Sequence, residues 1–137
     1  MSSIALVTKP GRAAVRAGWC VSGLLAFLLL LDAGMKLLVV QPVIDGSVQL
    51  GWPADTLTIR TLGTILALST VLYIVPCTAV IGAILLTGWM GGAIATHVRV
   101  ADPLFTHTLF GVYLGVALWG GLWLRDARVR ALIPFVS

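Results

Sequence analysis

The chain has 137 residues, of which 59% are hydrophobic and only 10% are charged, and its formal net charge is +4. A soluble domain of ordinary composition carries about 25% charged residues, so this composition excludes a soluble globular protein. Long unbroken apolar runs favour membrane-spanning helices over the short alternating segments of a transmembrane β-barrel. We therefore expect one all-α integral membrane domain that covers residues 1–137.

Apolar runs long enough to cross a bilayer recur along the chain. The run from Leu57 to Thr96 is roughly twice as long as a single crossing needs, so it must fold back on itself. Pro76 supplies the break, because proline lacks an N–H and clashes with the preceding helical turn. The result is a predicted four-helix transmembrane bundle with spans at about residues 18–40, 57–75, 77–98 and 104–124.

Basic residues gather in two tails, residues 1–16 and residues 125–137, which hold six of the nine lysines and arginines. Four spans place both tails on the same side of the membrane. The positive-inside rule makes that side cytoplasmic, so an N-in, C-in topology is predicted. Basic clusters beside spans anchor a protein to the lipid bilayer, and we expect no nucleic-acid partner.

The segment from Gln41 to Thr56 links the first two spans and is predicted to be a loop. It contains Pro42, the run Asp45-Gly46-Ser47, and Pro53, all of which are typical of turns. Asp55 or Thr56 is placed to cap the second span by accepting a hydrogen bond from its first free N–H groups.

Pairs of small residues at GxxxG spacing predict where the spans approach each other closely. The first pair is Gly88 and Gly92, and the second is Gly111 and Gly115. Packing within one chain is the first interpretation, and contact between copies in a homo-oligomer is the second. Together with Gly91, the first pair also admits a bend or the close approach of a flat ligand.

Asp32 and Lys36 interrupt the first span one helical turn apart, so their side chains share a face. A charge costs about 2.5–3.5 kcal/mol near the centre of a span, and Asp32 is too short to reach the interface. The predicted topology places further polar side chains at the same level, near the outer ends of the other spans. These are Arg60, Thr64, His97, Arg99 and His107.

These residues allow several interpretations. Asp32 can form a purely structural ion pair with Lys36 or Arg60, with the histidines capping helix ends. Ionisable groups within a membrane are also candidates for function, so the residues can instead line a ligand pocket open toward the outer leaflet. Asp32 and His97 are tentative catalytic residues as an acid–base couple. Two histidines without a further ligand cluster predict no metal site and make haem a weak alternative.

Three stretches resemble the DoxX-like family of small four-span bacterial membrane proteins: LDAGMKL, VPCTAVIGAILLTGWMGGAIATHVRV and YLGVALWGGLWLRDARVRALIP. The resemblance runs from about Leu31 to Pro134. It implies the four-helix membrane architecture and a location in the bacterial inner membrane. The family positions fall on Asp32, Lys36, Pro76, Gly91, Gly92, His97, Arg125 and Asp126.

The resemblance also implies a redox-linked role, because the family takes its name from a subunit of a thiosulfate:quinone oxidoreductase. Related proteins are discussed as helpers of disulfide formation, but Cys20 and Cys77 lie far apart without a CxxC motif, and we expect both to be buried free thiols. The leading hypothesis is an accessory membrane protein that binds a small amphipathic molecule, with a quinone as the candidate cofactor. The alternatives are a small membrane enzyme and a scaffold subunit of a membrane complex.

Overall fold

The computed structural model describes residues 10–132. The remaining parts of the predicted tails, residues 1–9 and 133–137, lie outside the described residues. The described chain forms six α-helices and one π-helical segment. In chain order these are α1 (Arg12–Leu38), α2 (Gln41–Gln49), α3 (Thr56–Ile74), α4 (Ala79–Arg99), the π-helical segment (Leu104–Thr108), α5 (Phe110–Arg125) and α6 (Ala127–Leu132).

Four helical stretches of the described chain are long and apolar enough to cross a membrane: Arg12–Leu38, Thr56–Ile74, Ala79–Arg99 and Leu104–Arg125. The last of them joins the π-helical segment to α5. This confirms the predicted all-α, multi-pass membrane fold. The cytoplasmic location of the termini stays a prediction.

The segment 41–56 is not the irregular loop that the sequence predicts, because its first nine residues form α2. Pro42 stands in the first turn of this helix, where a proline costs no hydrogen bond. Gln41 donates to the Asp45 carboxylate one turn later, and the Ser47 hydroxyl donates to the Val43 carbonyl. Turn-forming residues here therefore begin a short helix and form hydrogen bonds within it.

The four long helices form a closed ring in which α1 packs on α3 and α5, and α4 packs on the same two helices. Tyr73 of α3 is fully buried at the centre. Its hydroxyl donates to the Leu118 carbonyl at 2.9 Å and lies 2.8 Å from the Ser22 hydroxyl. Since the phenol has only one proton to donate, Ser22 donates to Tyr73, and this relay connects α1, α3 and α5.

The hairpin between α3 and α4 turns at Pro76, and the two helices approach most closely at Gly82. A Cβ atom added to Gly82 would lie against the backbone of Tyr73 and 2.6 Å from the carbonyl carbon of Leu72. Only glycine lets the two backbones meet at this distance.

The outer faces of the ring are apolar, and Leu24 and Phe27 are largely exposed, as expected where lipid is the solvent.

Cys20 and Cys77 are both free and both exposed, so the prediction that they are buried is wrong. Cys20 lies on the outward face of α1, and Cys77 lies in the turn between α3 and α4. Hydropathy marks both segments as apolar but does not distinguish a side chain that faces lipid from one that faces the core.

Arginines close the end of the bundle that carries the termini. The Arg125 guanidinium donates to the Tyr73 carbonyl at 2.7 Å and stacks over the Trp19 ring at 4.2 Å. Arg128 donates to the Pro76 carbonyl at 2.7 Å and to the Asp126 carboxylate. The hydrogen bond from Arg128 lowers the pKa of Asp126, although partial burial opposes this shift. The basic residues thus connect α5 and α6 to the turn at Pro76.

Asp55 caps α3 as predicted, since its carboxylate accepts from the Thr58 N–H at 2.8 Å. Hydrogen bonds from Thr58 lower the pKa of Asp55. A carboxylate with a lowered pKa in the folded state stabilises the protein at neutral pH, and this stabilisation is lost as the pH falls through its folded-state pKa.

We expect Asp55→Asn to retain the cap, because asparagine is an equally good capping residue, but to lose its pH dependence. The thermal unfolding midpoint of the wild type should therefore fall slightly more between pH 6 and pH 3 than that of the variant. An identical fall in both proteins would show that this carboxylate does not contribute.

Candidate functional site

A cavity of about 550 Å³ lies at the end of the bundle away from the termini. Its walls come from α1, α2, α3 and α4. The lining residues are Asp32, Lys36, Pro42, Val43, Gly46, Ser47, Leu50, Trp52, Leu62, Gly88, Trp89, Gly92, Ala93, Thr96 and His97. The structure thus brings Asp32, Lys36 and His97 together in one space.

Asp32 and Lys36 form an ion pair on the cavity wall. The two residues stand four positions apart on α1, with the acid preceding the base, which is the favourable order on a helix. A lysine ammonium has three donors and Asp32 uses one of them. Lys36 can therefore donate to a further acceptor in the cavity while it neutralises Asp32.

His97 lies at the last turn of α4, and its Nδ1 atom is 2.6 Å from the Asp102 carboxylate. A hydrogen bond at Nδ1 fixes the ring orientation and places the proton of the neutral imidazole there. The Nε2 atom is left as an acceptor without a partner among residues 10–132. Asp102 is a site residue that the sequence interpretation missed, because its position depends on the turn after α4, where Ala101 has a positive φ of 56°.

The α2 helix forms a roof over the cavity. One face of it, at Val43, Gly46 and Ser47, lines the space together with Leu50 just beyond its end, and this spacing is one helical stripe. No residue of α2 is buried. The helix is bounded by Val39 and Gly51, which both have positive φ angles (53° and 75°).

Arg99 holds one end of this roof by donating to the Leu50 carbonyl. It therefore positions α2 from outside the cavity, and it is not a lining residue. The ligand-binding role that the sequence suggests for Arg99 stays a prediction.

Glycines form the α4 wall of the cavity. A Cβ atom added to Gly88, Gly91 or Gly92 would meet nothing within 4 Å, so close packing within the chain does not explain these residues. Gly88 and Gly92 line the cavity, whereas Gly91 lies on a neighbouring face of α4. Contact between copies of the chain and the close approach of a flat molecule to the bare backbone both stay predictions for these glycines.

The second glycine pair behaves differently. A Cβ atom at Gly111 would lie 2.8 Å from Ile94 and 3.2 Å from the Met90 carbonyl oxygen, whereas one at Gly115 would only reach the Met90 sulfur at 4.0 Å. Gly111 therefore allows α4 and α5 to approach closely, as its spacing predicts, and Gly115 contributes little to this contact.

Several residues that the sequence places near the pocket do not line it. Arg60 is exposed and donates through Nε to the Leu37 carbonyl at 3.2 Å. The Thr64 hydroxyl donates to a carbonyl of its own helix, at Arg60. His107 lies in the π-helical segment, with its ring centroid 6.0 Å from that of His97, and its Nδ1 is 2.8 Å from the Thr106 hydroxyl.

The described residues contain no group of three or more histidine, cysteine, aspartate and glutamate side chains that could hold a metal ion. The ionisable groups of the cavity are instead arranged as two pairs, Asp32 with Lys36 and His97 with Asp102. Such a site can offer one donor and one acceptor to a ligand.

Fold and site together define a multi-pass helical membrane protein with a partly polar cavity between its spans. The sequence model of the DoxX-like family matches residues 20–121, a range that includes every residue lining the cavity. The chain therefore belongs to the DoxX-like family. No curated protein and no solved structure matches it.

Proposed function

We propose that this DoxX-like protein binds a small amphipathic molecule with a flat polar head in the cavity between α1, α2 and α4. The single observation that carries the proposal is that Asp32, Lys36 and His97 share one space with the bare backbone at Gly88 and Gly92. A volume of about 550 Å³ lies within the usual range of small-molecule sites, about 300–1,000 Å³.

The polar side chains of the cavity determine which groups the polar head of the ligand must carry. Lys36 is a donor and suits a carbonyl oxygen, whereas the His97 ring in its Nδ1–H tautomer accepts at Nε2 and suits a hydroxyl. A quinone or its reduced quinol carries such oxygens on a flat ring. The apolar part of the lining, which includes Val43, Leu50 and Leu62, suits the attached tail. A redox-linked role in the inner membrane is part of this proposal.

The test uses decylubiquinone as the probe and measures its affinity for the purified full-length chain from the shift in thermal unfolding midpoint. We expect His97→Ala to weaken binding about five- to tenfold, the loss of one hydrogen bond of about 1 kcal/mol. Asp32→Asn should weaken it as well, because Lys36 loses the partner that positions it.

His107→Ala is the matched control, since this second histidine lies close to His97 but does not line the cavity. It should leave the affinity within about twofold, a difference below 0.5 kcal/mol. Equal affinities in the wild type, His97→Ala and Asp32→Asn would show that these residues form structural ion pairs and do not bind the probe.

A second candidate function is acid–base catalysis on a hydrophobic substrate, and the contact between His97 and Asp102 favours it. A carboxylate at Nδ1 orients an imidazole, which is the arrangement of a general base. The sequence interpretation coupled Asp32 with His97, whereas the geometry makes Asp102 the partner and leaves Asp32 to Lys36. A turnover assay in which Asp102→Asn lowers kcat more than it changes probe affinity would distinguish catalysis from binding.

A further inference from the structure

A second concavity lies on the outside of the bundle, near the end that carries the termini. It is an apolar groove of about 350 Å³ lined by Trp19, Ser22, Gly23, Ala26, Phe27 and Leu30 of α1 and by Ile74 of α3. No side chain fills the groove at Gly23, and a Cβ atom added there would meet nothing within 4 Å. We call this feature the α1 groove.

The length of the α1 groove corresponds to one leaflet of a bilayer. Trp19 and Leu30 stand eleven positions apart, which is about 16 Å of helix, and half of a typical hydrocarbon core is about 15 Å. Trp19, which lies at the end of the groove nearest the termini, is the residue type that marks a membrane interface. An acyl chain of one leaflet therefore matches the groove in length and in chemistry.

Two positive charges continue the same helical stripe beyond the groove. Arg12, Arg16, Trp19 and Gly23 follow each other at spacings of three or four residues, so they lie on one face of α1. Arg16 stands about one turn above Trp19, at the level of lipid headgroups. Both arginines are exposed and have no hydrogen-bond or ion-pair partner among the described residues.

The other arginines at this end differ from this pair. Arg125, Arg128 and Arg130 each donate to backbone carbonyls of the protein. The only described carboxylate on the adjoining helices at this end, Asp126, is already bound by Arg128. Arg12 and Arg16 therefore keep their charge available, and no acidic residue lies between Gly11 and Leu31 to offset it.

We propose that the α1 groove is a binding site for an anionic phospholipid, with one acyl chain along Trp19, Gly23 and Phe27 and the phosphate at Arg16 and Arg12. Guanidinium groups bind the phosphate oxygens of any phospholipid with strong charge-assisted hydrogen bonds. Charge complementarity selects the anionic lipid, because the headgroup cation of a zwitterionic lipid offsets its phosphate and is repelled by the two arginines. The site is separate from the cavity at the opposite end, and it requires no ligand there.

The experiment measures lipid binding to the detergent-solubilised full-length chain by native mass spectrometry, with dioleoylphosphatidylglycerol as the anionic probe and dioleoylphosphatidylcholine as its zwitterionic counterpart. Gly23→Leu fills the groove while it leaves both arginines in place. Gly34→Leu is the matched control, because it adds the same side chain to the same helix at another position where a Cβ atom meets nothing within 4 Å.

We expect the wild type and Gly34→Leu to bind the anionic lipid more tightly than the zwitterionic one. Gly23→Leu should weaken anionic binding about tenfold, and Arg16→Gln about fivefold, since a basic residue near the membrane surface is worth about 1 kcal/mol. The Arg16→Gln measurement also keeps the proposal testable if Gly23→Leu folds poorly.

Three results would overturn the proposal. Equal affinity for the two lipids would remove the role of charge. Unchanged anionic binding in Gly23→Leu, together with a loss in Arg16→Gln, would indicate attraction to the surface without a groove. A change of oligomeric state in Gly23→Leu alone would indicate that a second copy of the chain occupies the groove.

Discussion

Gly82→Ala is expected to destabilise the bundle by about 2–3 kcal/mol, at the upper end of the usual cost of overpacking. The added methyl group would meet the backbone of Tyr73 and Leu72, and backbone atoms cannot change rotamer to make room. Separating α3 from α4 would also disturb the hydrogen bonds of Tyr73 to Leu118 and Ser22. The loss should be visible as a lower unfolding midpoint in detergent.

Gly88→Ala is the matched control for this prediction. It makes the same substitution on the same helix, but its methyl group enters open space. Alanine is a better helix former than glycine by up to about 1 kcal/mol, so this variant should be as stable as the wild type or slightly more stable. A similar loss of stability in both variants would mean that α3 and α4 do not meet at Gly82.

Gly92→Phe is expected to abolish most probe binding while the bundle stays folded. The ring would project into the cavity beside Asp32, Lys36 and His97 and displace the head of the ligand from them. Losing two hydrogen bonds of about 1 kcal/mol each corresponds to about thirtyfold weaker binding. The measurement is the affinity for decylubiquinone, accompanied by the unfolding midpoint of each variant.

Gly91→Phe separates the effect of the cavity from that of the substitution. Gly91 precedes Gly92 on α4, is equally free of close contacts, and does not line the cavity. Its variant should retain the affinity of the wild type within about twofold. If both variants lose binding to the same extent, the ligand does not lie against the Gly88 and Gly92 wall.

The composition and the lengths of the apolar runs are sufficient to predict the four membrane helices. A membrane span requires about twenty consecutive apolar residues, and few other structures contain such a run. The contact between Asp32 and Lys36 also follows from the sequence, since residues four apart on a helix are neighbours whatever surrounds them. These are the parts of the structure that local rules determine.

The face that each helix turns inward could not be predicted in the same way. The spans are apolar on most sides, so no polar stripe marks the face that each turns inward, and Arg60 and Thr64 lie outside the cavity. For the same reason, the spacing of Gly88 and Gly92 predicts helix packing although neither residue has a close contact within the described chain. Asp102 was missed for another reason, since its contact with His97 depends on the turn geometry between α4 and the π-helical segment.

Helix α2 forms in a segment whose turn-forming residues predict a loop. Proline, aspartate, glycine and serine within six positions predict a loop, yet Pro42 in the first turn and local side-chain hydrogen bonds are compatible with a short helix. The consequence for function is considerable, because this helix supplies the roof of the cavity.

The most direct test of the shared cavity is the alkylation rate of a single cysteine, placed at position 92 or at position 91 in a chain whose Cys20 and Cys77 are replaced by serine. Decylubiquinone at about ten times its dissociation constant occupies about nine tenths of the sites. If the probe lies against Gly92 in the cavity, we expect it to slow maleimide labelling about tenfold in Gly92→Cys and to leave the rate in Gly91→Cys unchanged. Equal protection at both positions, or at neither, would contradict it.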